Sequence, residues 1–329
     1  MIAPATYMQA LEKIAQAKSI LITATASADG DSIGAQLALY EIIQQLKLGT
    51  AYEMQIINEE ACPKRYAFLP HAKLVTPLSA WKGRDTFDLG FVLDGGSERT
   101  GVVKPMFDQC GTKVLVDHHQ YGSEDTYQIR LQDPKMSSTA ELVYNLLEQS
   151  RAQLTRDIAA NLYLAMIFDT GFFRFSLTTP RTMQIGANLI ATGIDFPNIA
   201  ALGMVETSVA SKKLLATVLS RMQLAGKGKI AWASISLADI EQCRAGAYDH
   251  EGIIENLCYI EGVETAMLAL ELANQEVKIS FRSRNVLDVG QIARSLGGGG
   301  HTRASGCTLA QTTLQAACKR VVDILQAKI

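Results

Sequence analysis

Short apolar runs alternate with segments of helical periodicity through the first half of the chain. Residues 19–25 (SILITAT) form a β-rich run that passes through Ala28-Asp29-Gly30-Asp31 into residues 32–46, where Ile33, Leu37, Tyr40 and Ile43 recur at helical spacing. Residues 52–57, 89–93 and 113–116 read as further strands. The last two are continuously apolar, as expected of parallel strands covered on both faces. Helical periodicity returns over residues 138–147 and 156–168. This alternation predicts an α/β fold with a doubly wound, mainly parallel sheet.

The texture changes after Pro180. Residues 182–191 and 210–224 read as helices, and Gly193 and Pro197 mark 192–198 between them as a turn region. A strand over 229–235, a helix around 253–259 and alternating strands over 263–271 and 276–283 follow. We therefore expect a first domain over residues 1–190, a helical connector over 191–216 and a smaller α+β domain over 217–329. A chain of 329 residues, 48% hydrophobic and 19% charged, has the material for two cores.

Charge narrows the partners. A net charge of -2 supplies no global cationic field for gripping long nucleic acid, but leaves room for a short anion held by local cations. The six cysteines make neither a CxxC pair nor a zinc spacing, so they read as small core residues of a reducing compartment. With no basic-then-apolar leader and no apolar run of about 18 residues, a soluble cytoplasmic protein is expected, with no membrane partner.

The chemistry concentrates at the ends of the apolar runs. Asp117-His118-His119 closes the run 112–116 and contains two of the five histidines. Open α/β sheets bind ligands outside the carboxyl ends of their strands, which makes that position as telling as the residue types. Asp29 and Asp31 flank Gly30 after the first strand and before a helix that Asp31 or Ser32 could cap; Asp94 ends the run 89–93, and Asp169 follows 162–168. Each acid alone is an ordinary turn or cap residue. Together with the histidine pair they suit a divalent-cation site, with manganese the natural choice among manganese, zinc and iron for so oxygen-rich a set. Two such ions bridged by one carboxylate clamp the attacking and leaving oxygens of a phosphoryl ester.

Near the other end, Gly297-Gly298-Gly299-Gly300-His301 leads into Thr302-Arg303. Successive glycines let backbone N–H groups approach an anion, and His301 and Arg303 add donors. Arg282 lies on the preceding strand and would reach a phosphate beside that loop. Neither GxxxxGK[ST] nor a GxGxxG opening a helix occurs, which removes support for the common nucleotide folds. Of the remaining histidines, His71 after Leu69-Pro70 reads as a surface residue.

These motifs resemble the DHH phosphoesterase superfamily, in particular members carrying a C-terminal DHH-associated domain. Ser137-Ser138-Thr139-Ala140-Glu141 and Phe173-Arg174-Phe175 are similar to the branch of oligoribonucleases and pAp phosphatases. The resemblance implies a two-manganese hydrolase, a homodimer, that cleaves very short RNA such as dinucleotides and removes the 3′-phosphate of pAp. It implies that Asp31, Asp94, His118 and Asp169 hold one ion, and Asp29 with Asp94 the other. Water activated by the metals would attack phosphorus. His119 would face the scissile phosphate, and Asp117 would orient its neighbours. Gly298, Gly299, Gly300, His301, Arg303 and Arg282 would hold a terminal phosphate or base.

One position departs from the pattern. The first motif of the superfamily opens with a histidine four residues before its first aspartate, and Thr25 stands there; Ala28 replaces the usual proline. A hydroxyl is a poor manganese ligand beside imidazole, so one of the two sites is expected to be weak. Two alternatives therefore stand beside an oligoribonuclease: a hydrolase of linear or cyclic dinucleotide messengers, and a nucleotide-binding relative without turnover.

Overall fold

The computed structural model describes residues 2–119, 127–247 and 249–329. Two compact units are formed, Met1–Glu206 and Thr207–Ile329. The first runs α1 (Pro4–Gln16), β1 (Ser19–Ala24), α2 (Gly30–Leu46), β2 (Glu53–Asn58), β3 (Val75–Pro77), β4 (Leu89–Leu93), α3 (Lys104–Asp108), β5 (Thr112–Asp117), β6 (Ile129–Gln132), α4 (Thr139–Glu148), α5 (Arg156–Asp169), α6 (Pro180–Ala191) and α7 (Phe196–Ala200).

Its six described strands are all parallel, in the order β3-β2-β1-β4-β5-β6. The chain winds outward from β1 in one direction, returns, and winds outward from β4 in the other. β1 and β4 are therefore neighbours at the reversal, the point where sheets of this kind generally leave a crevice for ligands. The expected doubly wound α/β sheet is the one observed.

Both faces of this sheet are covered, which explains why its strands carry so little polar alternation. Ile20, Ile22, Phe91, Leu93, Val114 and Val116 join one cluster with α2, α4 and α5. Leu21, Val92 and Leu115 join a second with Met106, Phe107 and Phe87. α2 is buried without interruption from Gly30 to Leu39, so it has no polar face to show in that stretch. It lies hard against α5: a Cβ placed on Gly34 would stand 2.4 Å from the Asn161 carbonyl and 2.8 Å from the Ala165 Cβ. Its cap is Asp29 rather than Asp31 or Ser32. Asp29 Oδ1 accepts from the Asp31 and Ser32 amides, and this starts the helix at Gly30.

The second unit runs α8 (Val209–Ser220), β7 (Gln223–Ala225), β8 (Ile230–Ile235), α9 (Leu237–Cys243), α10 (Ile253–Cys258), β9 (Thr265–Leu272), β10 (Glu276–Ser283), α11 (Val289–Ser295), β11 (Gly299–Gly300), β12 (Ala304–Leu309) and α12 (Leu314–Gln326). Its sheet has the order β11-β12-β10-β9-β8-β7 and is antiparallel except at β8–β9. Cores form on both faces, one with α11 and α12 and the other with α8 and α10. The helix expected over 210–224 stops at Ser220, because Gln223, Leu224 and Ala225 pair with β8. Pairing overrides local periodicity there.

All six cysteines are free, and five are buried. Among the described residues, no helix is long and apolar enough to cross a membrane.

Candidate metal centre

The acids at the strand and helix ends of the first unit converge. Asp94 follows β4 with a left-handed backbone (φ 61), a conformation that short polar side chains tolerate better than most. It is 5% exposed. Its two oxygens accept from the hydroxyls of Ser32 at 2.5 Å and Thr139 at 3.2 Å. Asp31 is fully buried in the first turn of α2. Its carboxylate accepts from the amides of Thr139 at 2.6 Å and Ala140 at 3.0 Å, so the amino-terminal end of α4 compensates part of its charge.

His118 is the hub of the cluster. Its Nε2 lies 2.7 Å from Asp169 Oδ2, 3.9 Å from Asp94 Oδ1 and 4.0 Å from Asp31 Oδ2. The other ring nitrogen stands 3.3 Å from the Met136 carbonyl, an orienting contact behind the ring. Asp169, at the last position of α5, is carried to this point by the α2–α5 packing.

His119 has a different setting. Its Nδ1 is 2.6 Å from Asp117 Oδ1 and 3.7 Å from Asp94 Oδ1. Asp117 is 1% exposed, accepts the His119 amide as well, and takes the Gln132 side-chain amide on its second oxygen. His119 is thereby fixed in tautomer and direction by a buried acid that is itself fixed.

Electrostatics mark the same residues. Burial first, then repulsion from Asp169 and Asp94, pushes the Asp31 carboxyl well above the usual carboxylate range. Burial, Asp94 and Asp169 do the same to Asp29. Burial alone would lower His118, but the hydrogen bond and charge of Asp169, with Asp31 and Asp94 behind it, carry it well above the ordinary imidazole range. Asp94 goes the other way: burial raises it, and His119, His118 and the Ser32 hydroxyl together hold it below its ordinary value.

So dense a set of acids is held together either by shared protons or by cations. The donors fit cations. One ligand atom each from Asp94, His118 and His119, and likewise from Asp31, His118 and Asp169, lie within 4.8 Å of one another.

The expected anion-binding residues all belong to the second unit. A Cβ on Gly298 would stand 2.1 Å from the Gly306 carbonyl, and one on Gly300 (φ 128) 2.6 Å from Ser305 Cα. Gly298 and Gly300 thus serve close backbone packing, whereas a Cβ on Gly299 would meet nothing within 4 Å; Gly299 and Gly300 pair with Gly306 and Ser305. The His301 amide donates to the Ala304 carbonyl at 2.7 Å. Arg303 donates to the carbonyls of Leu287 and Asn285, and Arg282 is paired with Glu255 at 2.9 Å. Arg282 and Arg303 therefore already have partners within the unit.

Against known proteins, residues 19–166 match the model of the DHH family, N-terminal domain, and residues 245–327 match that of the DHHA1 domain. The chain thus carries a DHH domain followed by a DHHA1 domain. Among similar proteins, a bifunctional oligoribonuclease and PAP phosphatase NrnA from Thermus thermophilus is 27% identical over 313 residues, covering 94% of this chain and 90% of the relative. A cyclic-di-AMP phosphodiesterase GdpP from Geobacillus thermodenitrificans is 25% identical over 321 residues, and the chain spans 46% of that longer protein. The same fold is seen in an exopolyphosphatase-related protein from Bacteroides fragilis, with a TM-score of 0.89 at 24% identity, covering 99% of this chain and 98% of that one.

Within this DHH domain, sequence reasoning reached the acids and the histidine pair but not what holds them. Ser32 was read only as a possible helix cap, not as a donor to Asp94, and Gln132 and the amides of Thr139 and Ala140 went unassigned. The signal for the last two was the 137–141 motif, read only as part of a resemblance.

Proposed function

We propose that this chain is a manganese-dependent phosphodiesterase that hydrolyses very short oligoribonucleotides, dinucleotides above all, to mononucleotides, and that it also removes the 3′-phosphate of pAp. The observation that carries this reading is the meeting of Asp31, Asp94, Asp169 and His118 at the carboxyl end of the sheet. The NrnA relative, matched over nearly the whole of both chains, supplies the substrate class.

In this reading Asp31, Asp94, His118 and Asp169 would hold one cation, and Asp29 and Asp94 would hold the other. When bound, the pair lowers the pKa of a water and neutralises phosphoryl oxygens. The rest is work for the chain itself. Asp117 orients the His119 ring through Nδ1, and His119 would face the substrate phosphate. Ser32 and Thr139 hold both oxygens of Asp94 in place. His301, Arg303, Arg282 and the backbone of Gly298, Gly299 and Gly300 recognise a terminal phosphate or base.

A second reading is favoured by the GdpP relative: a linear or cyclic dinucleotide messenger as substrate. Incubating the full chain with manganese and a diribonucleotide, a cyclic dinucleotide or pAp separates them. Release of mononucleotides from the diribonucleotide, abolished by a chelator, is expected. Tight binding with no turnover at saturating manganese would instead make the chain a binding module.

A further inference from the structure

Away from the acid cluster, three metal-capable side chains meet where α2, α5 and the segment between β2 and β3 come together. Glu41 lies on α2, Asp157 in the first turn of α5, and His71 caps the short 3-10 turn Ala72–Leu74. His71 Nε2 is 3.4 Å from Glu41 Oε2 and 3.8 Å from Asp157 Oδ2. One ligand atom from each of the three lies within 4.8 Å of the others. The sequence placed His71 at the surface; its side chain is only 28% exposed, and its ring stands 5.7 Å from that of Tyr40.

The spacing suits a cation better than a hydrogen bond. N–H···O bonds close to about 2.7–3.2 Å. Glu41 Oε2 and His71 Nε2 are both buried atoms with no hydrogen-bond partner. Glu41 is 9% exposed, and its other oxygen takes the Thr155 hydroxyl at 2.5 Å, which fixes the carboxylate and aims Oε2 at His71. His71 itself lies in the left-handed region (φ 66), which non-glycine residues enter rarely and histidine more often than most. Tetrahedral ligands at roughly 2.0–2.1 Å from an ion stand about 3.4 Å from each other, the separation found between His71 and Glu41.

We propose that Glu41, His71 and Asp157 form a second divalent-cation site, separate from the acid cluster, which takes a zinc-like ion with one imidazole, two carboxylates and water. Nitrogen and oxygen donors in this geometry suit zinc rather than magnesium, which demands an oxygen octahedron. The bound ion fastens the segment between β2 and β3 onto α2 and α5, two helices that also carry acids of the catalytic cluster.

The test uses the full-length protein stripped of metal. Crystals soaked in zinc chloride are expected to show an anomalous peak among the three side chains above the zinc edge and none below it. In solution, calorimetric titration should find one zinc equivalent more in the wild type than in His71→Ala, and magnesium should not compete for it. His71→Ala should keep manganese-dependent turnover of a diribonucleotide. Absence of the anomalous peak, or equal zinc stoichiometry in folded wild type and variant, overturns the proposal. If His71→Ala does not fold, the wild-type crystal decides alone, and a bare ion pair without zinc counts against it.

Discussion

Thr25 is the residue at which the first motif departs from the pattern this chain resembles, and it lies beside Gly95, the neighbour of Asp94. It is 5% exposed at the end of β1, and a Cβ on Gly95, next to Asp94, would stand 2.8 Å from its Cγ2. An imidazole there would bring a nitrogen donor to Asp94. Thr25→His is therefore expected to tighten manganese roughly tenfold, about 1.4 kcal/mol, when titrated calorimetrically. Unchanged affinity would mean that threonine is not what weakens the site. At this scale the acids were legible because each ends an apolar run, where ligands gather in α/β sheets. Their supports were not. Asp31 is held by the amides of Thr139 and Ala140, more than a hundred residues away, and no local pattern announces such a pairing.

At the level of elements, the site depends on α2 and α5 lying close enough to bring Asp31 and Asp169 to the same imidazole. Gly34 permits that approach. Gly34→Ala would drive a Cβ into the Asn161 carbonyl, which cannot rotate away, and should cost about 1–3 kcal/mol. Denaturant unfolding would show the lowered midpoint, and turnover should fall with it because both acids shift. A variant as stable and active as the parent would contradict this packing argument. β4 and β5 could be read from sequence because burial on both faces leaves them wholly apolar. β3 and β6 could not. Three residues ending in proline, or four alternating as Ile-Arg-Leu-Gln, are too short to announce a strand, and only pairing to β2 and β5 makes them strands.

For the molecule as a whole, the clustered acids make stability depend on protons and metal together. Asp29, Asp31 and His118 all have folded pKa values raised above their ordinary ones, so the folded metal-free chain binds more protons than the unfolded chain as pH rises. Stability then falls with pH. The His118 contribution is complete below its unfolded value of about 6.5 and is lost as pH climbs through the raised folded value. Asp94, held low, acts oppositely, and its contribution disappears only in strong acid. Metal-free protein should accordingly melt at lower temperature as pH rises through neutrality, while saturating manganese should reverse the trend by replacing the protons. Melting curves of chelator-stripped and manganese-loaded protein across that range would check it, and identical slopes would contradict it.

The central claim, that Asp94 joins two cations at the end of this sheet, is open to direct magnetic measurement. Manganese added to metal-stripped protein should give the electron paramagnetic resonance signal of an exchange-coupled pair, and Asp94→Asn should abolish the coupling. A spectrum of isolated manganese ions, the same in wild type and variant, would contradict the account.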